Sequence, residues 1–175
     1  MPIKTIFLDR DGVINKEVNY LHKIEDFQFI DGIFEACNHF LKLGYKIIIV
    51  TNQSGIARGY FKENDYHNLS RWMLKQFQKK SIDILDIFYC PHGPESNCNC
   101  RKPLPGMFFK AKDKHDINMK SSWLIGDKEN DIIAGINSGI LNTILVRSGH
   151  KVNEQSTKAQ FVINSIQDSN NIISN

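Results

Sequence analysis

No run in this chain approaches the roughly 18 consecutive apolar residues of a membrane-spanning helix, which argues against a helical membrane protein. The opening MPIKTIFLDRDG interrupts its short apolar run with charge, unlike a secretory leader, so a cytoplasmic protein without a membrane partner is expected. Charge of one sign is missing too. The 22 Lys and Arg against 19 Asp and Glu give a formal net charge of +3, spread along the chain, and composition does not point to nucleic acid. No internal repeat is visible, and the only biased stretch is the polar end at 164–175, NSIQDSNNIISN, which reads as a frayed or loosely docked tail without function. Cysteine is scarce: of four, Cys90, Cys98 and Cys100 fall together and Cys37 lies in an expected helix. In a reducing compartment that spacing favours metal over disulfides.

What remains, with 41% hydrophobic and 23% charged residues, is the composition of a single soluble globular domain over residues 1–175. Apolar runs TIFLD, YKIIIVT, ILDIFYC, SWLIGD and NTILVR read as buried strands. Between them, Ile33, Ala36, Cys37, Phe40 and Leu41 recur at helical spacing after a cap at Asp31, and Gly44 stops that helix. Tyr66, Leu69, Met73 and Phe77 mark a second helix; a third starts near Pro105 and a fourth ends at Gly139. The alternation predicts an α/β fold, Rossmann-like, with a parallel sheet, helices on both faces, and ligands at the carboxyl ends of the strands.

Three polar clusters follow strands: DRDG, TNQSG and GDKEND. Asp9 and Asp11, two residues apart, can share work between a cation and a substrate, and Gly12 lets the backbone turn; taken alone, DRDG reads rather as an Asx turn, and it is the set of three clusters that favours chemistry. A calcium loop is disfavoured because its glycine belongs at the sixth position and Gly12 is fourth from Asp9. The residues between Cys90 and Cys100 carry a separate signal. C-x-H-x5-C-x-C supplies Cys90, His92, Cys98 and Cys100, a full tetrahedral N/S set for a structural Zn²⁺ loop at 90–100. Fixing Cys100 fixes where the next two residues, Arg101 and Lys102, point.

DRDG, the Thr51 of VTN, the lysine of CRKP and GDKEND stand in the chain order of the four motifs of the haloacid dehalogenase superfamily of phosphohydrolases, which the sequence therefore resembles. The resemblance implies that Asp9 attacks phosphorus and that Asp11 protonates the leaving oxygen and then activates water. It implies Mg²⁺ held by Asp9, Asp127 and the backbone carbonyl of Asp11, with Thr51 and Lys102 stabilising the phosphoryl group. Asp131 is expected to hold the metal site or Lys128 in place. Such an oxygen-rich site suits Mg²⁺ rather than Zn²⁺.

From Thr5 to Gly149 the pattern, including FLDRDGVIN, GYKIIIVTNQSGIARGYF, CRKPLPGM and IGDKENDIIAG, is similar to the phosphatases of heptose 1,7-bisphosphate. That similarity implies a small-molecule sugar bisphosphate as substrate, a place in ADP-heptose and lipopolysaccharide precursor synthesis, a monomer, and no large cap domain. Carried over, substrate contacts fall on Arg10, on Glu17, Val18, Asn19 and Tyr20, on Asn52, Gln53 and Ser54, and on Arg101 and Lys128. Two departures stand out: EVNY is poorer in Asp, His and Gly than the family's stretch, and the His92–Cys98 spacer is short. The second resembles histidinol-phosphate phosphatases, the alternative reading, and a polynucleotide 3'-phosphatase is a more remote one. Arg101 and Lys128 offer more positive charge than the phosphate of a cationic amino alcohol should want. Nucleic acid is not expected as a partner, since no aromatic lies between Tyr89 and Phe108 to stack bases. His22, His39, His67 and His115 read as surface or helix-face residues, and Trp72, Met73 and Phe77 as core. Arg58 and Arg147 follow the second and fifth predicted strands, where a phosphate contact and a surface ion pair are both open readings.

Overall fold

The computed structural model describes residues 1–174; Asn175, the end of the expected tail, lies outside the described residues. Six strands form one parallel sheet: β1 (Thr5–Leu8), β2 (Lys46–Asn52), β3 (Asp86–Cys90), β4 (Trp123–Gly126), β5 (Asn142–Val146) and β6 (Phe161–Ile163), in the spatial order β3-β2-β1-β4-β5-β6. Strand order reverses between β1 and β4, and such a switch opens a crevice beyond the carboxyl ends of the strands.

The period-two alternation of strand side chains sends Ile6, Leu8, Ile47 and Ile49 to one face and Phe7, Ile48 and Val50 to the other. On the first face α1 (Ile33–Lys42) and α2 (Glu63–Lys79) bury Ala36, Phe40, Leu69, Met73 and Phe77. On the second, α3 (Gly106–His115) and α4 (Glu129–Asn137) bury Phe108 and Ala134. Each large side chain so buried stabilises the fold by about 1.5–3 kcal/mol relative to exposure. This is the α/β fold with two covered faces that the alternation predicts. Only a loop with one 3₁₀ turn (Ile24–Asp26) joins β1 to α1, so no cap domain is inserted there.

Two expectations fail. Asp31 does not cap α1: the cap position is Gly32, at φ 82° and without a side-chain bond, and a Cβ there would come within 2.7 Å of Gln167. Close packing of the C-terminal segment, rather than a capping oxygen, shapes that helix start. Nor is the polar segment loose over its described residues, 164–174. The short strand β6 pairs with β5, and the 3₁₀ helix Ile166–Asn171 lies against α1, with Ile166 and Ile173 buried. Nε2 of His39 lies 2.7 Å from the carbonyl oxygen of Ile173, so this histidine has a partner that its sequence position did not indicate. A polar-looking segment docks because its few isoleucines face one way.

Candidate active site

The strand ends bring the predicted carboxylates to one place. Asp9 follows β1 directly, its amide donating to the Ile125 carbonyl of β4 at 3.0 Å. The next residues curl back, with the amides of Val13, Ile14 and Asn15 donating to the Arg10 carbonyl, and Gly12 takes φ 86°. That glycine is required for space as well as dihedral, since a Cβ would sit 2.4 Å from Oδ2 of Asp127. Gly149, after β5, is in the same position: a Cβ there would lie 2.1 Å from the same oxygen. Two glycines from distant loops thus let the backbone close around one carboxylate.

Lys102 is the hub. Its side chain is 2% exposed, and Nζ donates to Asp9 Oδ1 at 2.9 Å and the Val50 carbonyl at 2.9 Å, and pairs with Asp131 Oδ1 at 2.7 Å. Burial works to lower the pKa of this ammonium, but Asp131 and then Asp9 outweigh it and hold the group charged. Burial, helped by Asp131 and opposed by Lys102, pushes Asp9 upward. A buried, carboxylate-rich site therefore disfavours an ionised Asp9 unless further positive charge is supplied. Asp131 also accepts from the amides of Asp127 and Lys128, at 3.1 and 3.0 Å, starting α4. The sequence expectation that it holds Lys128 applies to the Lys128 backbone; its charge goes to Lys102.

Asn52 brackets Lys102, accepting from its amide at 3.0 Å and donating to its carbonyl at 3.1 Å. Asn52 borders the cavity but spends its amide on the lysine. Asp11 is gripped by Arg10 through Nε and Nη2, by Asn15 and by Gln53, at 3.0–3.2 Å. Arg10, expected as a substrate contact, is 2% exposed and largely engaged with Asp11 and the Leu21 carbonyl. Thr51 is buried, its Oγ1 accepting from Gln53 at 2.9 Å. The cavity, about 290 Å³, is bordered by Asp9, Asp11 and Lys102 at its base. Glu17, Val18, Asn19 and Tyr20 line one side, Ser54 and Arg58 another, and Arg101, Lys128 and His150 complete the rim.

Among the described residues, three groups of side chains are close enough to hold a cation; Glu17, Asp127 and His150 form one of them, and the other two bear on the chemistry. Asp9, Asp127 and Asp131 bring carboxylate oxygens within 4.8 Å of one another. Asp127 Oδ2 is saturated by His150, through its amide at 3.0 Å and Nδ1 at 2.6 Å, while Oδ1 is buried without a partner among the described residues. A buried bare carboxylate oxygen beside Asp9 fits a hard divalent cation. The remaining group is Cys90, His92, Cys98 and Cys100, whose ligand atoms also lie within 4.8 Å of one another. Cys90, at the end of β3, is pushed up to about 12 by burial and by the Cys100 thiol. Burial acts the same way on Cys98, but the Arg101 amide and the neighbouring thiols bring it down to about 6. Three thiols and an imidazole this close together supply the donor set of a thiolate-binding metal site.

His150 was not anticipated. It lies in VRSGH just past the fifth strand, where the sequence signal falls on Arg147 instead. Its Nε2 also approaches Glu17 at 3.8 Å, tying the rim to Asp127. The open question about two arginines is answered separately for each. Arg147 forms a surface pair with Glu154 at 2.6 and 2.9 Å, whereas Arg58 lines the cavity. Of the other histidines, His22 stacks on Phe61 and His115 bonds Asp86 at 2.7 Å.

Residues 99–169 match the model of the Hydrolase_like family, described as HAD-hyrolase-like. The chain is 51% identical over 164 residues, 90% of each chain, to D-glycero-alpha-D-manno-heptose-1,7-bisphosphate 7-phosphatase of Photorhabdus laumondii. It is 44% identical, over 94% of each chain, to D-glycero-beta-D-manno-heptose-1,7-bisphosphate 7-phosphatase of Pasteurella multocida. Among solved structures it is similar to D,D-heptose 1,7-bisphosphate phosphatase from B. bronchiseptica complexed with magnesium and phosphate, with a TM-score of 0.85, 27% identity and 98% of both chains covered.

Proposed function

Because the chain belongs to the D-glycero-D-manno-heptose-1,7-bisphosphate 7-phosphatase family of haloacid dehalogenase-like hydrolases, we propose that it hydrolyses the 7-phosphate of that sugar bisphosphate. The observation that carries the reading is Lys102 Nζ, buried between Asp9 and Asp131 where Asp127 leaves one oxygen bare. A dianionic phosphate approaches a carboxylate nucleophile only where positive charge offsets both.

Asp9 attacks phosphorus as the bond to the sugar oxygen breaks, and Asp11 gives that oxygen its proton. Water then attacks the aspartyl-phosphate, losing its proton to Asp11, and inorganic phosphate leaves Asp9 free. Arg10, Asn15 and Gln53 hold Asp11 in position for both proton transfers. Thr51, beside Gln53, is the donor we assign to a phosphoryl oxygen, together with Lys102. Asp9, Asp127 and the Asp11 carbonyl are the groups that would hold Mg²⁺, which when bound supplies charge neutralisation at the transferring phosphoryl group. Cys90, His92, Cys98 and Cys100 would hold Zn²⁺ in a structural role, placing Arg101 and Lys102.

The finer reading is the α anomer, supported by 51% identity to the α-named relative against 44% to the β-named one. The test is turnover of both anomers and of histidinol phosphate side by side, with and without Mg²⁺. Mg²⁺-dependent release of one phosphate per heptose bisphosphate, faster for the α anomer, is expected. Preferential turnover of histidinol phosphate would overturn the substrate assignment.

A further inference from the structure

The geometry points to Arg58 as a binding residue for the phosphate that is not cleaved, an assignment that rests on the sugar-bisphosphate reading above. The cations around the cavity divide into two kinds. Arg10 and Lys102 are buried and already paired, with Asp11 and with Asp9 and Asp131. Arg58, Arg101 and Lys128 border the same cavity without a carboxylate in ion-pairing distance among the described residues. A substrate with two phosphates brings a second dianion that the base of the site cannot reach while it holds the first. The remaining cations at the rim are the groups available to meet it.

Arg58 is exposed, yet the turn that carries it is fixed. Its amide donates to the Ser54 carbonyl at 3.0 Å, the Tyr60 amide to the Gly55 carbonyl at 2.9 Å, and Gly59 takes φ 74° to close the turn. A further bond, from the Ala57 amide to the Pro91 carbonyl at 3.2 Å, fastens this turn to the loop that bears Arg101. Arg101 in turn donates from Nη1 to the His92 carbonyl at 3.3 Å. Two guanidinium groups are thus presented from adjoining loops anchored to each other. A planar fork of donors matches phosphate oxygens two at a time, which an ammonium does not, so arginine at this place suits a phosphate better than a hydroxyl-rich sugar face. Arg147, another arginine just past a strand, shows the contrast: Glu154 occupies its fork.

The experiment compares three substrates on the full chain: heptose 1,7-bisphosphate, the same sugar carrying only the 7-phosphate, and p-nitrophenyl phosphate. Arg58→Ala should raise KM for the bisphosphate by about ten- to a hundredfold, the loss of a charged hydrogen-bonding partner, with little change in kcat. Its kinetics on the two monophosphates should stay near those of the unmodified enzyme, which also shows that the fold is kept. Arg58→Lys should recover part of the bisphosphate affinity. Equal effects on all three substrates, or no effect on any, would overturn the assignment. If the unmodified enzyme turned over p-nitrophenyl phosphate but neither sugar phosphate, the substrate reading would fall first and this assignment with it.

Discussion

A buried carboxylate with one oxygen saturated and the other bare is a directional device. Asp127 has Oδ2 occupied by the amide and ring of His150 and Oδ1 left without a partner, and Gly12 and Gly149 leave out the side chains that would collide with Oδ2. His150 therefore orients the carboxylate, and His150→Ala should weaken Mg²⁺ binding about 10- to 100-fold, read by calorimetric titration independently of turnover. Unchanged affinity would show that Asp127 needs no such support. Asp9→Asn tests the nucleophile. It removes one charge and almost no volume, so melting temperature should hold while turnover of any phosphate ester falls by more than about 10³-fold. A variant keeping near-normal turnover would rule out a covalent step on this residue.

At the scale of elements, the Cys90–Cys100 segment is polar and mostly exposed, and few apolar contacts hold it in place. Cys98→Ser should lose about one equivalent of zinc by elemental analysis and lower turnover indirectly, by loosening Arg101 and Lys102. Full activity in zinc-free protein would remove the link between that loop and the site. The C-terminal segment offers a second case. Ile166 is fully buried, and Ile166→Ala should destabilise the protein by about 2–5 kcal/mol in urea unfolding; a loose tail would show no change. Here the sequence was hardest to read. The strands and helices that bury a continuous stripe, such as Ile47 to Val50 or Leu69, Met73 and Phe77, are legible because burial imposes a period. β6 is three residues long and the 3₁₀ helix after it is six, too short to show one, so their docking emerges only from tertiary contact. Asp9, Asp11 and Asp127 stand out as strand-end motifs and Lys102 through its place in CRKP, whereas His150 acts through a single ring and amide and repeats no spacing.

For the whole molecule, a net charge of +3 says little, because its placement matters more. Negative side chains concentrate at the base of the cavity, and unpaired positive ones at its rim. Raising ionic strength from about 0.01 M to 0.15 M shortens the screening length from about 30 to 8 Å, so KM for the bisphosphate should rise while that for an aryl phosphate moves less. Parallel salt responses would mean that the rim cations do not act on the distal group.

Asp131 joins two jobs that protein engineers usually treat apart. One oxygen begins a helix and the other neutralises a lysine, so the scaffold and the reactivity are inherited through a single codon. Asparagine there would still offer an oxygen to the two amides while leaving Lys102 with Asp9 as its one counter-ion. That exchange yields a folded but electrically unbalanced protein, a starting point for selecting ligands that carry their own negative charge.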